Sequence, residues 1–169
     1  MDNIILIGMP GAGKSTVGVI LAKRLGYDFI DTDLLLIKKA GRALPEILKS
    51  AGVDGFLELE SAVGQSIKCD RTVIATGGSM VLLEAAMENL RNSGVVIWLD
   101  TELEELERRI SDKADRGIAA RPGESLADIF KMRRPYYEKY SDIRIPCVAG
   151  TDNVVAMIRQ ALNYRGSGA

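Results

Sequence analysis

Short apolar runs alternate along the chain with longer stretches in which apolar positions recur at helical spacing. The runs at 3–7, 27–31, 72–75, 95–99 and 143–148 are apolar without strict alternation, the pattern of strands buried on both faces. The stretches 14–25, 34–39, 44–50, 54–67, 81–92, 102–111, 125–140 and 152–164 suit helices, and Gly26, Gly41, Gly52 and Gly94 fall where helix ends call for positive φ. Repeated β-α units predict an α/β fold of three layers, a parallel five-stranded sheet with helices on both faces. One domain over 1–165 is expected, followed by a flexible tail at 166–169. The segment 112–124 breaks the pattern. It is polar, contains Gly117, Pro122 and Gly123, and predicts a mobile loop carrying Lys113, Arg116 and Arg121.

Composition narrows the chemistry. Lys and Arg number 22 against 23 Asp and Glu, so bulk charge gives no argument for nucleic acid or an anionic membrane, and any phosphate site must be local. Histidine is absent, which excludes Ser-His and Cys-His nucleophile pairs and leaves acid-base work to carboxylates, Lys or Tyr. Cys69 and Cys147 are far apart and form no CxxC pair, as expected of free thiols in a reducing cytoplasm. Neither a leader peptide nor a membrane span is expected, and the chain is read as a cytoplasmic monomer.

Gly8-Met9-Pro10-Gly11-Ala12-Gly13-Lys14-Ser15 matches G-x-x-x-x-G-K-[ST] between the first strand and the first helix, the context that a phosphate-binding loop requires. Its glycines let backbone N–H groups turn toward an anion, and the following helix adds its positive end. Lys14, expected to be exposed, would reach the β and γ phosphates, and Ser15 is a metal-side hydroxyl. Asp31-Thr32-Asp33 closes the second strand at the same sheet edge, where ligands gather. One aspartate can serve a metal and the other a substrate hydroxyl, or Asp33 can simply cap the helix that follows. Thr76-Gly77-Gly78-Ser79 allows close approach of backbone to a ligand after the third strand, or is a plain turn.

The order of P-loop, D-T-D, F-x-x-x-E, G-G-x, R-P lid and R-x-P-x-Y resembles the shikimate kinase family across essentially the whole chain. The resemblance implies a P-loop kinase fold of nucleoside monophosphate kinase type, in which ATP with Mg²⁺ phosphorylates the 3-hydroxyl of shikimate beneath a closing lid. It implies that Gly11, Ala12, Gly13, Lys14, Ser15 and Thr16 bind the ATP phosphates, and that Ser15 and Asp31 serve Mg²⁺. Asp33 would hold the accepting hydroxyl and Arg121 would meet the phosphates. Arg109 falls at an adenine-side position, and Arg133 corresponds to an arginine that grips the substrate carboxylate. Gly77, Gly78 and Ser79 would line the acceptor.

Three positions depart from the family pattern, all on the acceptor side: Leu57 in place of a second carboxylate-binding arginine, Leu48 in place of an aromatic residue, and Ser79 in place of a third glycine. The ATP side is unaltered, which implies a working kinase with a changed acceptor pocket. Leu57 points about 100° away from Phe56 and is expected to face the cleft. The acceptor is therefore shikimate, or another polyol, cyclitol, sugar acid or nucleoside monophosphate. A nucleotide-binding regulatory module that has lost turnover is the non-enzymatic alternative.

Overall fold

The computed structural model describes residues 2–110, 117–148 and 150–166, with side chains to residue 163. Five strands, β1 (Asn3–Ile7), β2 (Asp28–Asp31), β3 (Thr72–Ala75), β4 (Gly94–Asp100) and β5 (Ile143–Pro146), form one parallel sheet in the order β2-β3-β1-β4-β5. The central strand β1 is buried at every position, so both faces of the sheet are covered. Helices α1 (Lys14–Leu25) and α7 (Thr151–Gly166) pack together in one layer. The other layer is built from α3 (Leu44–Ser66), α4 (Glu84–Ser93) and α6 (Leu126–Tyr140); the two shorter helices are α2 (Thr32–Ala40) and α5 (Leu103–Arg109). This is the three-layer α/β architecture that the pattern of apolar runs predicts. Among the described residues no helix is long and apolar enough to cross a membrane.

Two apolar clusters hold the described residues together. The larger lies on the sheet; the smaller joins Leu36, Leu44, Ile47, Phe56, Val63 and Ala119, and so ties α2 and α3 to the segment after residue 117. The predicted boundaries shift at several points. Gly52 separates the two expected helices within α3: with φ 69° and ψ −179° it is non-helical, and the chain kinks there before the second helical stretch resumes. Gly94 is extended, with φ 174°, and starts β4. The expected helix at 81–92 opens as a 3-10 turn, Met80–Leu82, before α4. Helix α2 begins at Thr32, earlier than apolar spacing alone indicates, because its cap is Asp31 rather than Asp33: the Asp31 carboxylate accepts from the Asp33 N–H at 2.9 Å.

The segment expected to be a mobile loop is partly docked where it is described. Gly117, Ile118 and Ala119 are buried, and a Cβ on Gly117 would lie 2.4 Å from Leu44 Cβ. Arg121, Pro122 and Gly123 are exposed, in a turn closed by the Glu124 N–H donating to the Arg121 carbonyl. The remainder of that segment, 112–116, lies outside the described residues, as do residues 167–169 of the expected tail.

Candidate active site

Because every strand is parallel, the loops that follow β1, β2 and β3 emerge at one edge of the sheet. Between them lies a cleft of about 640 Å³ lined on one side by Pro10, Gly11, Gly13, Lys14, Ser15, Thr16 and Arg109. Its other side is lined by Asp33, Phe56, Glu60, Thr76, Gly77, Gly78, Ser79, Ile118, Ala119 and Arg133. The sheet edge thus brings together most of the residues that the sequence singled out.

The loop after β1 turns through Gly8, Gly11 and Gly13, all at positive φ (148°, 82° and 91°), conformations that residues with a Cβ rarely adopt. Lys14 is buried rather than exposed, at 7% relative exposure, because its Nζ folds back to donate to the carbonyls of Gly8 (2.7 Å) and Met9 (2.9 Å). Burial lowers its amine to about 8, against the attraction of Asp33 and Asp31. Ala12 does not line the cleft. Its side chain packs in the main core, and its N–H is spent on the Met9 carbonyl.

Ser15 Oγ donates to Asp31 Oδ2 at 2.6 Å, while the other oxygen of Asp31 caps α2. A hydroxyl and a carboxylate, both hard oxygen donors beside the phosphate loop, suit Mg²⁺ that takes its remaining ligands from phosphates and water. Asp33, in the first turn of α2, faces the cleft, and burial, followed by repulsion from Asp31, raises its carboxyl above the ordinary range. Arg109 reaches the loop from α5, donating to the Gly11 carbonyl at 3.2 Å and to Glu105 at 2.6 Å. Glu105, held by Arg108 and Arg109, is pulled down to about 2.

On the acceptor side, Arg133 is 1% exposed and donates to the Ala119 carbonyl at 2.6 Å; its buried Nε has no hydrogen-bond partner among the described residues. One turn later Tyr137 donates to the Gly78 carbonyl at 2.7 Å and stacks on Trp98. Glu60 and Tyr137 close the F-x-x-x-E and R-x-P-x-Y motifs, but the sequence assigned neither a role in the site. Helical spacing could have found them, since each stands four positions after a cleft residue, Phe56 or Arg133, and so on the same helix face.

Three positions fall elsewhere than expected. Leu57 and Leu48 do not line the cleft; both are half-buried against the smaller apolar cluster. Arg121 is not among the cleft residues either: its exposed guanidinium pairs with the exposed Asp54 of α3 at 2.9 Å.

The family model for shikimate kinase matches residues 10–163. The chain is 41% identical to a shikimate kinase of Synechococcus sp. (strain RCC307), over 95% of this chain and 84% of the other. It is 40% identical to a shikimate kinase of Symbiobacterium thermophilum, over 97% of this chain and 98% of the other. Among solved structures, shikimate kinase from Acinetobacter baumannii in complex with shikimate superposes with a TM-score of 0.89 at 30% identity, covering 98% of this chain and 94% of that one.

Proposed function

The chain belongs to the shikimate kinase family, and we propose that it transfers the γ-phosphoryl group of ATP to the 3-hydroxyl of shikimate. The observation that carries this reading is the facing of a phosphate loop by Asp33 and Arg133 across one cleft. In this reading the backbone of Gly11 and Gly13, with Lys14 and Thr16, holds the phosphates, and Arg109 lies on the adenine side. Ser15 and Asp31 hold Mg²⁺, which when bound neutralises charge on the phosphate oxygens.

Asp33 holds the accepting hydroxyl and takes up its proton. Its raised pKa makes it a stronger base than an exposed aspartate. Arg133 offers its unpartnered Nε to the acceptor's carboxylate, and the backbone at Gly77 and Gly78 lets the ring approach closely. Lys14 leaves its two loop carbonyls for the transferred phosphoryl group, and its positive charge offsets the charge that develops there. Inward movement of the turn at 121–124 would exchange Asp54 for phosphate as the partner of Arg121 and exclude water.

A coupled ADP-release assay over shikimate, other cyclitols, sugar acids and nucleoside monophosphates tests the reading. Shikimate-dependent release is expected, and Lys14→Met should reduce it by roughly 10²- to 10³-fold or more. Full turnover in a folded Lys14→Met protein would reject the mechanism. One observation favours a second reading: the described residues of the acceptor side include two carboxylates, Asp33 and Glu60, but a single guanidinium, Arg133. Such a balance suits a polyol with less negative charge. A larger kcat/KM for a neutral cyclitol than for shikimate would establish that reading instead.

A further inference from the structure

Ser79 stands where the chain leaves the turn after β3, and its hydroxyl does not point at open space. Ser79 Oγ donates to Glu60 Oε2 at 2.5 Å, with both residues buried (4% and 2% exposed). The turn that presents Ser79 is itself pinned: the Gly77 N–H donates to Thr32 Oγ1, the Gly78 carbonyl accepts from Tyr137, and the Ser79 carbonyl accepts from the Leu82 N–H. The second carboxylate oxygen, Glu60 Oε1, is buried and has no hydrogen-bond partner among the described residues. It lies beside Gly77, where a Cβ would be 2.2 Å from Glu60 Oε1 and 2.9 Å from Asp33 Oδ1. The orphaned oxygen therefore faces the same stretch of cleft wall as Asp33.

We propose that Ser79 is a positioning residue for the phosphoryl acceptor: by occupying Oε2 of Glu60 it fixes Oε1 at the cleft wall, free to accept a hydrogen bond from the bound substrate. Ser79 acts through Glu60 and need not touch the acceptor. The identity of the acceptor rests on the kinase reading; the pairing itself does not.

The charged and titratable groups facing Glu60 are Asp33 from α2, Lys14 at the start of α1, and Arg133 and Tyr137 from α6. Burial raises Glu60 to about 7, and the bond from Ser79 is the largest influence holding it down. A side chain that merely filled space at this position would leave that titration unmoved when replaced.

The test uses Ser79→Ala, with Ser79→Gly as a second loss variant and Ser79→Thr as the variant that keeps the hydroxyl. Carboxyl resonances of ¹³C-glutamate-labelled protein are titrated, and Glu60 is identified by its disappearance in Glu60→Gln. The Glu60 midpoint should rise by about half a pH unit or more in Ser79→Ala and return in Ser79→Thr. In steady-state ADP release at pH 7, the acceptor KM should increase roughly fivefold while the KM for ATP stays constant. The gap should narrow by pH 9, where Glu60 is ionised in both proteins. An unmoved midpoint in both loss variants, or a moved midpoint with an unchanged acceptor KM, overturns the proposal. Failure of wild type to turn over shikimate rejects shikimate as acceptor but not the pair: the titration still decides it, and KM is then read on the acceptor that does release ADP.

Discussion

Lys14 and Glu60 show what the site costs the fold at the level of single residues. The Lys14 ammonium has lost most of its water, so its pKa in the folded protein is lowered to about 8. Its charged form weighs against folding at neutral pH, and that penalty is relieved only as pH rises above about 8. Glu60 is the mirror case, with a carboxyl raised to about 7. Its contribution to stability is fully present below the ordinary glutamate range and is lost as pH rises through about 7. Replacing Glu60 by Gln keeps an oxygen for Ser79 and removes the charge. Glu60→Gln should therefore be more stable than wild type at pH 8, by up to ~3 kcal/mol, and no more stable at pH 5. Urea melts of the two proteins at both pH values decide this, and equal differences at both would mean that Glu60 titrates as an exposed glutamate does. By the same reasoning Lys14→Met should melt no lower than wild type at pH 7 while losing turnover, so a sharp loss of stability there would show that the two carbonyl contacts outweigh the buried charge.

Between elements, close approach does the positioning, and glycines mark where it happens. A Cβ on Gly18 of α1 would meet the Phe29 ring of β2 at 2.6 Å, so Gly18→Ala should cost ~1–3 kcal/mol in a urea melt. A Cβ on Gly77 would instead strike the Glu60 and Asp33 carboxylates. Gly77→Ala should thus abolish acceptor turnover while binding of an ATP analogue, measured by calorimetry, stays near wild type; joint loss of both would mean that the turn supports the phosphate loop as well. These contacts show what the sequence could and could not convey. The phosphate loop was legible because its glycines, Lys14 and Ser15 are contiguous and lie between a strand and a helix. The β-α order gave the layers for the same local reason. Gly52 was legible too, because a glycine between two apolar-periodic stretches marks a local break, and at φ 69° it interrupts α3 between the two expected helices. Leu57 misled because a 100° turn from Phe56 excludes one direction without naming the other, and the side chain packs on the smaller apolar cluster, of which Phe56 is itself a member, instead of lining the cleft. The Ser79–Glu60 bond spans 19 positions and the Arg133–Ala119 bond 14, separations at which spacing along one element conveys nothing.

At the scale of the whole molecule the question is how a cleft open to water protects a reactive phosphoryl group. The segment after residue 117 enters the body of the protein through Gly117 against Leu44 and Ala119 in the smaller cluster, and Arg133 holds the Ala119 carbonyl from α6. The turn at Arg121 is tethered much more lightly. Its ion pair with Asp54 joins two exposed side chains, a contact that typically contributes 0 to about 1 kcal/mol and is screened by salt. A phosphate placed within reach offers Arg121 a charge-assisted partner of roughly 1.5–3 kcal/mol, enough to win the exchange. Trypsin cleavage after Arg121 cannot report closure, because Pro122 follows it. Hydrogen exchange over 120–125 is the suitable probe: an ATP analogue with acceptor should slow it beyond either ligand alone. Asp54→Ala should leave that protection intact while speeding exchange in the unliganded protein. Equal exchange with and without both ligands would show that this turn stays on α3 throughout the reaction and that Arg121 has no part in it.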